Sequence, residues 1–172
     1  MFTIKEKCME NPIIEIKKIK AEKQLDYFTS VFIFVYWFAV FYRYNHISDV
    51  IPIHYDIDGS VDNYGDKIFI FISPFFATII YLCLIFGAKR PHKFHYNVTI
   101  TKENAERQYR NALQMIRVLN LGIVFSFFII DIPILFTQDG IFKELNGFLF
   151  ILIGIVPIFT IAYFTSKSYK IN

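Results

Sequence analysis

Four apolar runs separated by charged stretches set the pattern of this chain. They are Tyr27–Tyr42, Ile68–Ala88, Val118–Phe136 and Gly147–Phe164. Each comes close to the roughly 20 residues that a helix needs to cross about 30 Å of hydrocarbon. Phe, Ile, Val and Tyr dominate the runs, and in water such residues favour strands. Lipid reverses that preference, because an isolated strand would leave its backbone amides without partners. The pattern therefore predicts an all-α integral membrane protein with four transmembrane helices. Between the first two runs the period changes. Ile51, Ile53 and Tyr55 alternate with Pro52, His54 and Asp56, and turn signals follow at Asp58-Gly59 and Tyr64-Gly65. Pro52 fixes one backbone angle and biases Ile51 toward extended structure. A short extended segment, folded back as a cap over the helix ends, is expected there.

Residues 103–117 predict a soluble-type helix that continues into the third run. Thr99 or Thr101 serves as its N-cap, Glu103 and Glu106 fall in its first turns, and Arg110 and Arg117 come later, matching the helix dipole. The chain divides into a lead-in, residues 1–26, a four-helix domain, residues 27–164, and a tail, residues 165–172. Within the lead-in, Asn11–Lys20 reads either as an interfacial element or as a plain charged approach to the first helix.

Composition agrees with the pattern. Hydrophobic residues reach 55%, above the roughly 45–50% of soluble proteins. A disordered chain, a disulfide-stapled mini-protein and a water-soluble nucleic-acid binder are excluded. Charge supplies the direction. Lys5, Lys7, Lys17, Lys18, Lys20 and Lys23 precede the first run, and Lys89, Arg90, Lys93, Lys102, Arg107, Arg110 and Arg117 follow the second. Lys167 and Lys170 lie in the tail, whereas Arg43, Lys67 and Lys143 alone fall on the other side. The positive-inside bias places both termini and the second connection in the cytoplasm, as expected of a multi-pass protein of the cell membrane. The basic faces then suit anionic headgroups, and nucleic acid is not an expected partner. The external loop from Arg43 to Lys67 holds five Asp against two basic residues, so it is acidic. Cys8 and Cys83 sit in different compartments and are expected to stay unpaired. The first run is the expected insertion signal, uncleaved.

The loop also resembles a known family. Ile51-Pro52-Ile53-His54-Tyr55, then Gly59, Asp62 and Tyr64-Gly65-Asp66-Lys67, is similar to the signature of the bacterial DUF1648 membrane proteins. Pro12–Ile16 and Asn97–Tyr109 agree with it, extending the resemblance over the first three runs. Ser48 stands where the family favours Pro, and Asp56 where Asn is usual, which makes this loop more acidic. The resemblance marks Pro52, Gly59, Gly65 and Lys67 as the structural motif of the loop. Longer relatives are immunity proteins that protect a cell from its own secreted toxic peptide and signal to a cytoplasmic repressor. Immunity is what the resemblance implies as a hypothesis.

Two sets of residues carry candidate chemistry. His46, His54, Asp56 and Asp58, with Asp62 and Asp66, share one aqueous face and could hold a divalent metal such as zinc. Against this, Gly59 is misplaced for an EF-hand, and the carboxylates equally serve to cap turns. Asp131 is the second candidate, the sole acid of the third run and about 20 Å along it at 1.5 Å per residue. It falls near the level of the external loop and needs a partner, for which Arg43 or His46 are expected. A structural ion pair is the competing explanation.

These observations favour binding over catalysis. His54, Asp56, Asp62, Asp131 and Arg43 are the expected recognition site for an extracellular cationic peptide or envelope ligand. Electrostatic steering by the acidic loop would assist it, and a cytoplasmic regulator would read the basic helix. A metal-dependent membrane enzyme or metal-handling protein, and an accessory subunit of a larger membrane complex, are the alternatives. No cofactor is otherwise expected.

Overall fold

The computed structural model describes residues 11–56, 58–136 and 147–171, with side chains of the last stretch from residue 153 onward. Expectations that concern Lys5, Lys7, Cys8 and Lys143 fall outside the described residues. Four helices dominate: α1 (Lys20–Tyr44), α2 (Ile72–Gly87), α3 (Ala105–Phe136) and α4 (Gly147–Lys170). Two strands, β1 (Val50–Tyr55) and β2 (Val61–Asp66), stand between α1 and α2. The expectation of an all-α chain is thereby corrected to a mostly helical one with a β-hairpin. Among the described residues, α1, Lys67–Gly87 and α3 are long and apolar enough to cross a membrane.

α3 organises the bundle, because α1, α2 and α4 each pack mainly against it. Its 32 residues span about 48 Å, well beyond one hydrocarbon thickness. The extra length is the expected polar helix, which runs into the apolar one without a break. Its start is held by Asn104, whose Nδ2 donates to the Thr99 carbonyl at 3.0 Å and whose Oδ1 accepts from Thr101 N at 2.9 Å. Thr101 Oγ1 in turn accepts from Asn104 N. Residues 11–19 form no helix. They run along α3 and the α2–α3 connection, held by Tyr109 Oη donating to the Pro12 carbonyl and Asn11 Nδ2 to the His92 carbonyl.

The hairpin pairs antiparallel, with Val50 opposite Asp66 and Tyr55 opposite Val61. The ladder is irregular from Pro52 to Tyr55. Proline has no N–H to donate, so a bulge at this point is the natural outcome. The expected Asp58-Gly59 turn is present, with Gly59 at φ 89°, a backbone that glycine adopts without Cβ strain. The expected turn at Tyr64-Gly65 is absent, since both residues belong to β2. Gly65 serves close packing instead. A Cβ there would lie 2.9 Å from Ile53 Cδ1 and 3.0 Å from Phe69 Cδ2. Gly65→Val is expected to cost about 1–3 kcal/mol by overpacking, read as a lower melting temperature in detergent. An unchanged midpoint would show that Ile53 and Phe69 swing aside.

The hairpin is seated on the helices rather than hung from them. Ile47 and Ile51 enter a buried cluster with Tyr36, Val40, Ile70, Ala77, Ile134 and Leu135. A clasp closes its base: Lys67 Nζ lies 2.7 Å from Asp49 Oδ1, and Lys67 N donates to the Asp49 carbonyl at 2.9 Å. The Lys67 ammonium holds the Asp49 carboxyl below its ordinary range. Asp66 then starts the next helical turn by accepting from Ile68 N at 2.8 Å. On the outer faces, Phe34, Phe38, Phe41 and Phe75 are exposed, an apolar belt suited to lipid.

Candidate binding pocket beneath the hairpin

Pro52 and Tyr55 of β1, Phe69 and Ser73 at the entry to α2, and Ile130 and Asp131 of α3 line a cavity of about 300 Å³. The strand forms its roof and the helix ends its walls. The volume is at the lower end of small-ligand sites. Asp131 is 1% exposed, and its position beneath the hairpin agrees with the depth expected from its place in the apolar run.

Its partners differ from expectation. Tyr36 Oη, from α1, donates to Asp131 Oδ2 at 2.5 Å and also lies 3.1 Å from the Phe127 carbonyl. The hydroxyl of Ser73 completes the arrangement from α2. Three helices thus meet on one carboxylate. Arg43 instead lies over the Phe136 ring, 5.9 Å from its centroid. His46 stacks on Tyr42 and places Nδ1 2.9 Å from the Tyr42 carbonyl. The physical reason is depth: Arg43 and His46 are two to three turns beyond Tyr36 along α1 and its end. Tyr36 gave no signal in the sequence, being one aromatic among many in its run. Tyr55 overlooks the same acid, and burial, with the Asp131 charge adding to it, pushes its phenol up to about 12.

The remaining candidates divide by face. His54 Nδ1 is 2.6 Å from Asp62 Oδ1 across the hairpin, and both are exposed on its upper surface. Asp58 Oδ1 accepts from Ser60 N and Oγ, contacts that hold its carboxyl below the ordinary range. Asp56 joins the turn through its backbone, donating to the Ser60 carbonyl and accepting from Gly59 N. Asp66 is the helix cap already described. The proposed metal set is therefore not assembled: among the described residues no three His, Cys, Asp or Glu side chains gather for an ion. His54 and Asp62 supply two groups, and a tetrahedral zinc site needs four ligands.

At the opposite end of the bundle the sequence reading missed a buried ionic network. Arg117, 8% exposed, places Nε 3.0 Å from Asp26 Oδ1 and Nη1 3.7 Å from Glu22 Oε2. Arg110 reaches the other oxygen of Glu22 at 3.4 Å. Glu22 Oε2 also accepts from Ile19 N at 3.1 Å, capping α1. A spacing argument within one run could not reveal it, since its members are about 90 residues apart. α4 is tied to α3 nearby, with Gln108 Nε2 donating to the Ser168 carbonyl and Ser168 Oγ to Gln108 Oε1.

Apolar helices long enough to span a membrane, a seated hairpin and a buried acid beneath it define a helical membrane protein with a capped, largely apolar pocket that holds one carboxylate. Residues 31–78 match the model of a domain of unknown function, DUF1648. The segment similar to that domain runs from within α1 through the hairpin into α2. It is little more than a quarter of the chain, so Pro12–Ile16 and Asn97–Tyr109 lie outside it. No curated protein and no solved structure matches the chain.

Proposed function

We propose that this chain is a binding protein of the cell membrane that recognises an extracellular cationic peptide or envelope ligand at the hairpin end. All four helices cross the bilayer. The basic residues of the lead-in, the α2–α3 connection and the tail place those segments and both termini on the cytoplasmic side. The observation that carries the reading is Asp131, a carboxylate 1% exposed that lines a hairpin-roofed cavity. Burying such a group is costly, and intramembrane acids tend to mark ligand or ion paths.

Two layers of recognition follow. The exposed His54–Asp62 pair and Asp56 meet the ligand first, and the long-range field of the acidic loop draws in a cationic one. A basic or amine-bearing side chain then reaches Asp131, while Pro52, Tyr55 and Ile134 contact its apolar part. Immunity to a toxic peptide is the biological form this binding takes, with the basic start of α3 as the surface a cytoplasmic regulator would read. The test is survival of a deletion strain against a panel of cationic membrane-active peptides. The wild-type gene is expected to restore protection, and Asp131→Asn and Asp62→Ala to reduce it about tenfold or more, the loss of one charged contact, at unchanged membrane levels. Full protection by both variants would remove the site.

A further inference from the structure

A second cavity, of about 280 Å³, opens at the end of the bundle away from the hairpin. The segment before α1, the last turn of α2 and the middle of α3 enclose it. Leu84, Ile85 and Ile116 line one side, and Lys18, Lys89 and Arg117 contribute positive charge. Two buried polar side chains facing it are incompletely used. Arg117 Nη1 makes no hydrogen bond, its nearest carboxylate being Glu22 at 3.7 Å. Asn120, 5% exposed, donates through Nδ2 to the Tyr81 carbonyl at 3.4 Å, but its Oδ1 accepts nothing. Buried donors and acceptors are costly to leave unmade, so such atoms point to a ligand. Glu15 and Asp26 also line the cavity, and Asp26 pairs with Lys18 at 2.7 Å and with Arg117 Nε at 3.0 Å, so the three cations exceed the acids by one charge.

We propose that this cavity binds the headgroup of an anionic glycerophospholipid. Arg117 Nη1 donates to a phosphate oxygen, and Lys89, at the exposed end of α2, supplies the second positive charge. Asn120 Oδ1 accepts from a headgroup hydroxyl. Leu84, Ile85 and Ile116 receive the first methylenes of the acyl chains. Guanidinium and phosphate are matched in charge and geometry, and the mixed polar and apolar lining fits an amphiphile better than a free ion. The site rests on the preceding reading in one respect, the placing of this end at the inner leaflet. It is independent of the ligand at the hairpin.

The test uses the full chain purified in neutral detergent, titrated by native mass spectrometry with dioctanoyl phosphatidylglycerol, dioctanoyl phosphatidylcholine and glycerol 3-phosphate. Phosphatidylglycerol is expected to bind saturably and about tenfold more tightly than phosphatidylcholine. Lys89→Gln, an exposed position, and Asn120→Leu are each expected to weaken that binding several-fold and leave phosphatidylcholine unaffected. Equal binding of the two lipids, or no change in both variants, overturns the site. Glycerol 3-phosphate binding as tightly as the lipid overturns the lipid assignment in favour of a soluble phosphate ester. Neither result bears on peptide protection, so failure here and failure at the hairpin are distinguishable.

Discussion

Arg117→Ala is expected to lower stability by about 3 kcal/mol, the low end of the cost of breaking a buried ion pair by removing one partner. The guanidinium is 8% exposed and answers two acids of α1, Glu22 and Asp26. Its loss leaves Glu22, 3% exposed, with Arg110 at 3.4 Å as its one remaining cation and Ile19 N as its backbone donor, and Asp26 facing Lys18. Arg110 is the reason to choose the low end, since Glu22 does not become wholly unpaired. The damage comes from the stranded acid rather than from a lost attraction. Replacing both partners, as Arg117→Met with Glu22→Leu, is therefore expected to recover most of the stability. Thermal unfolding in detergent reads the comparison. A double variant no more stable than Arg117→Ala would show that the network holds α1 to α3 by something other than charge satisfaction.

Tyr36→Phe is expected to cost about 1–3 kcal/mol, because a buried acceptor loses one of its two donors and keeps only Ser73. The ring stays, and with it the edge-on contact with Phe128 at 5.3 Å between centroids. What goes is the hydroxyl that Asp131 Oδ2 receives at 2.5 Å, at a position 0% exposed. Combining Tyr36→Phe with Asp131→Leu should cost less than the two changes added together, because the second removes the group that the first leaves short of a donor. Strict additivity would show that the two side chains are not coupled. The proposed function adds a second readout. Tyr36→Phe leaves the carboxylate in place but frees its orientation, so protection should fall less than with Asp131→Asn.

These two sites show how differently the parts of the fold were legible. Asp131 stands out because a lone acid in an apolar run has no cheap alternative explanation. Its depth follows from helical rise alone, and the cavity beneath the hairpin is where that depth puts it. Its partner did not stand out. Tyr36 sits among Phe, Val and Trp, and a phenol in such a run reads as packing until a carboxylate is seen beside it. Arg43 and His46 looked better on charge, but charge carries no information about height along a neighbouring helix. The hairpin was half legible. Alternation around Pro52 and the Asp58-Gly59 pair gave its first strand and its turn, while Tyr64-Gly65 read as a second turn. Gly65 is needed there because Ile53 and Phe69 come within about 3 Å of where its Cβ would be, a contact across strands that local sequence does not carry.

By itself the sequence determined what depends on composition and period. It established the apolar helices, the acidic segment between the first two, the continuous polar-to-apolar helix that became α3, and the uneven distribution of Lys and Arg. Hydrocarbon thickness, backbone satisfaction and helical rise act on each segment separately, so no knowledge of neighbours is needed. Tertiary structure alone decided which side chains meet. It paired Asp131 with Tyr36, joined Glu22 and Asp26 to Arg117, set His54 against Asp62 rather than in a metal cluster, and seated Ile51 among the helix ends. Those choices depend on the rotation and height of one helix against another, set by packing of whole faces, and a single run of residues does not encode them.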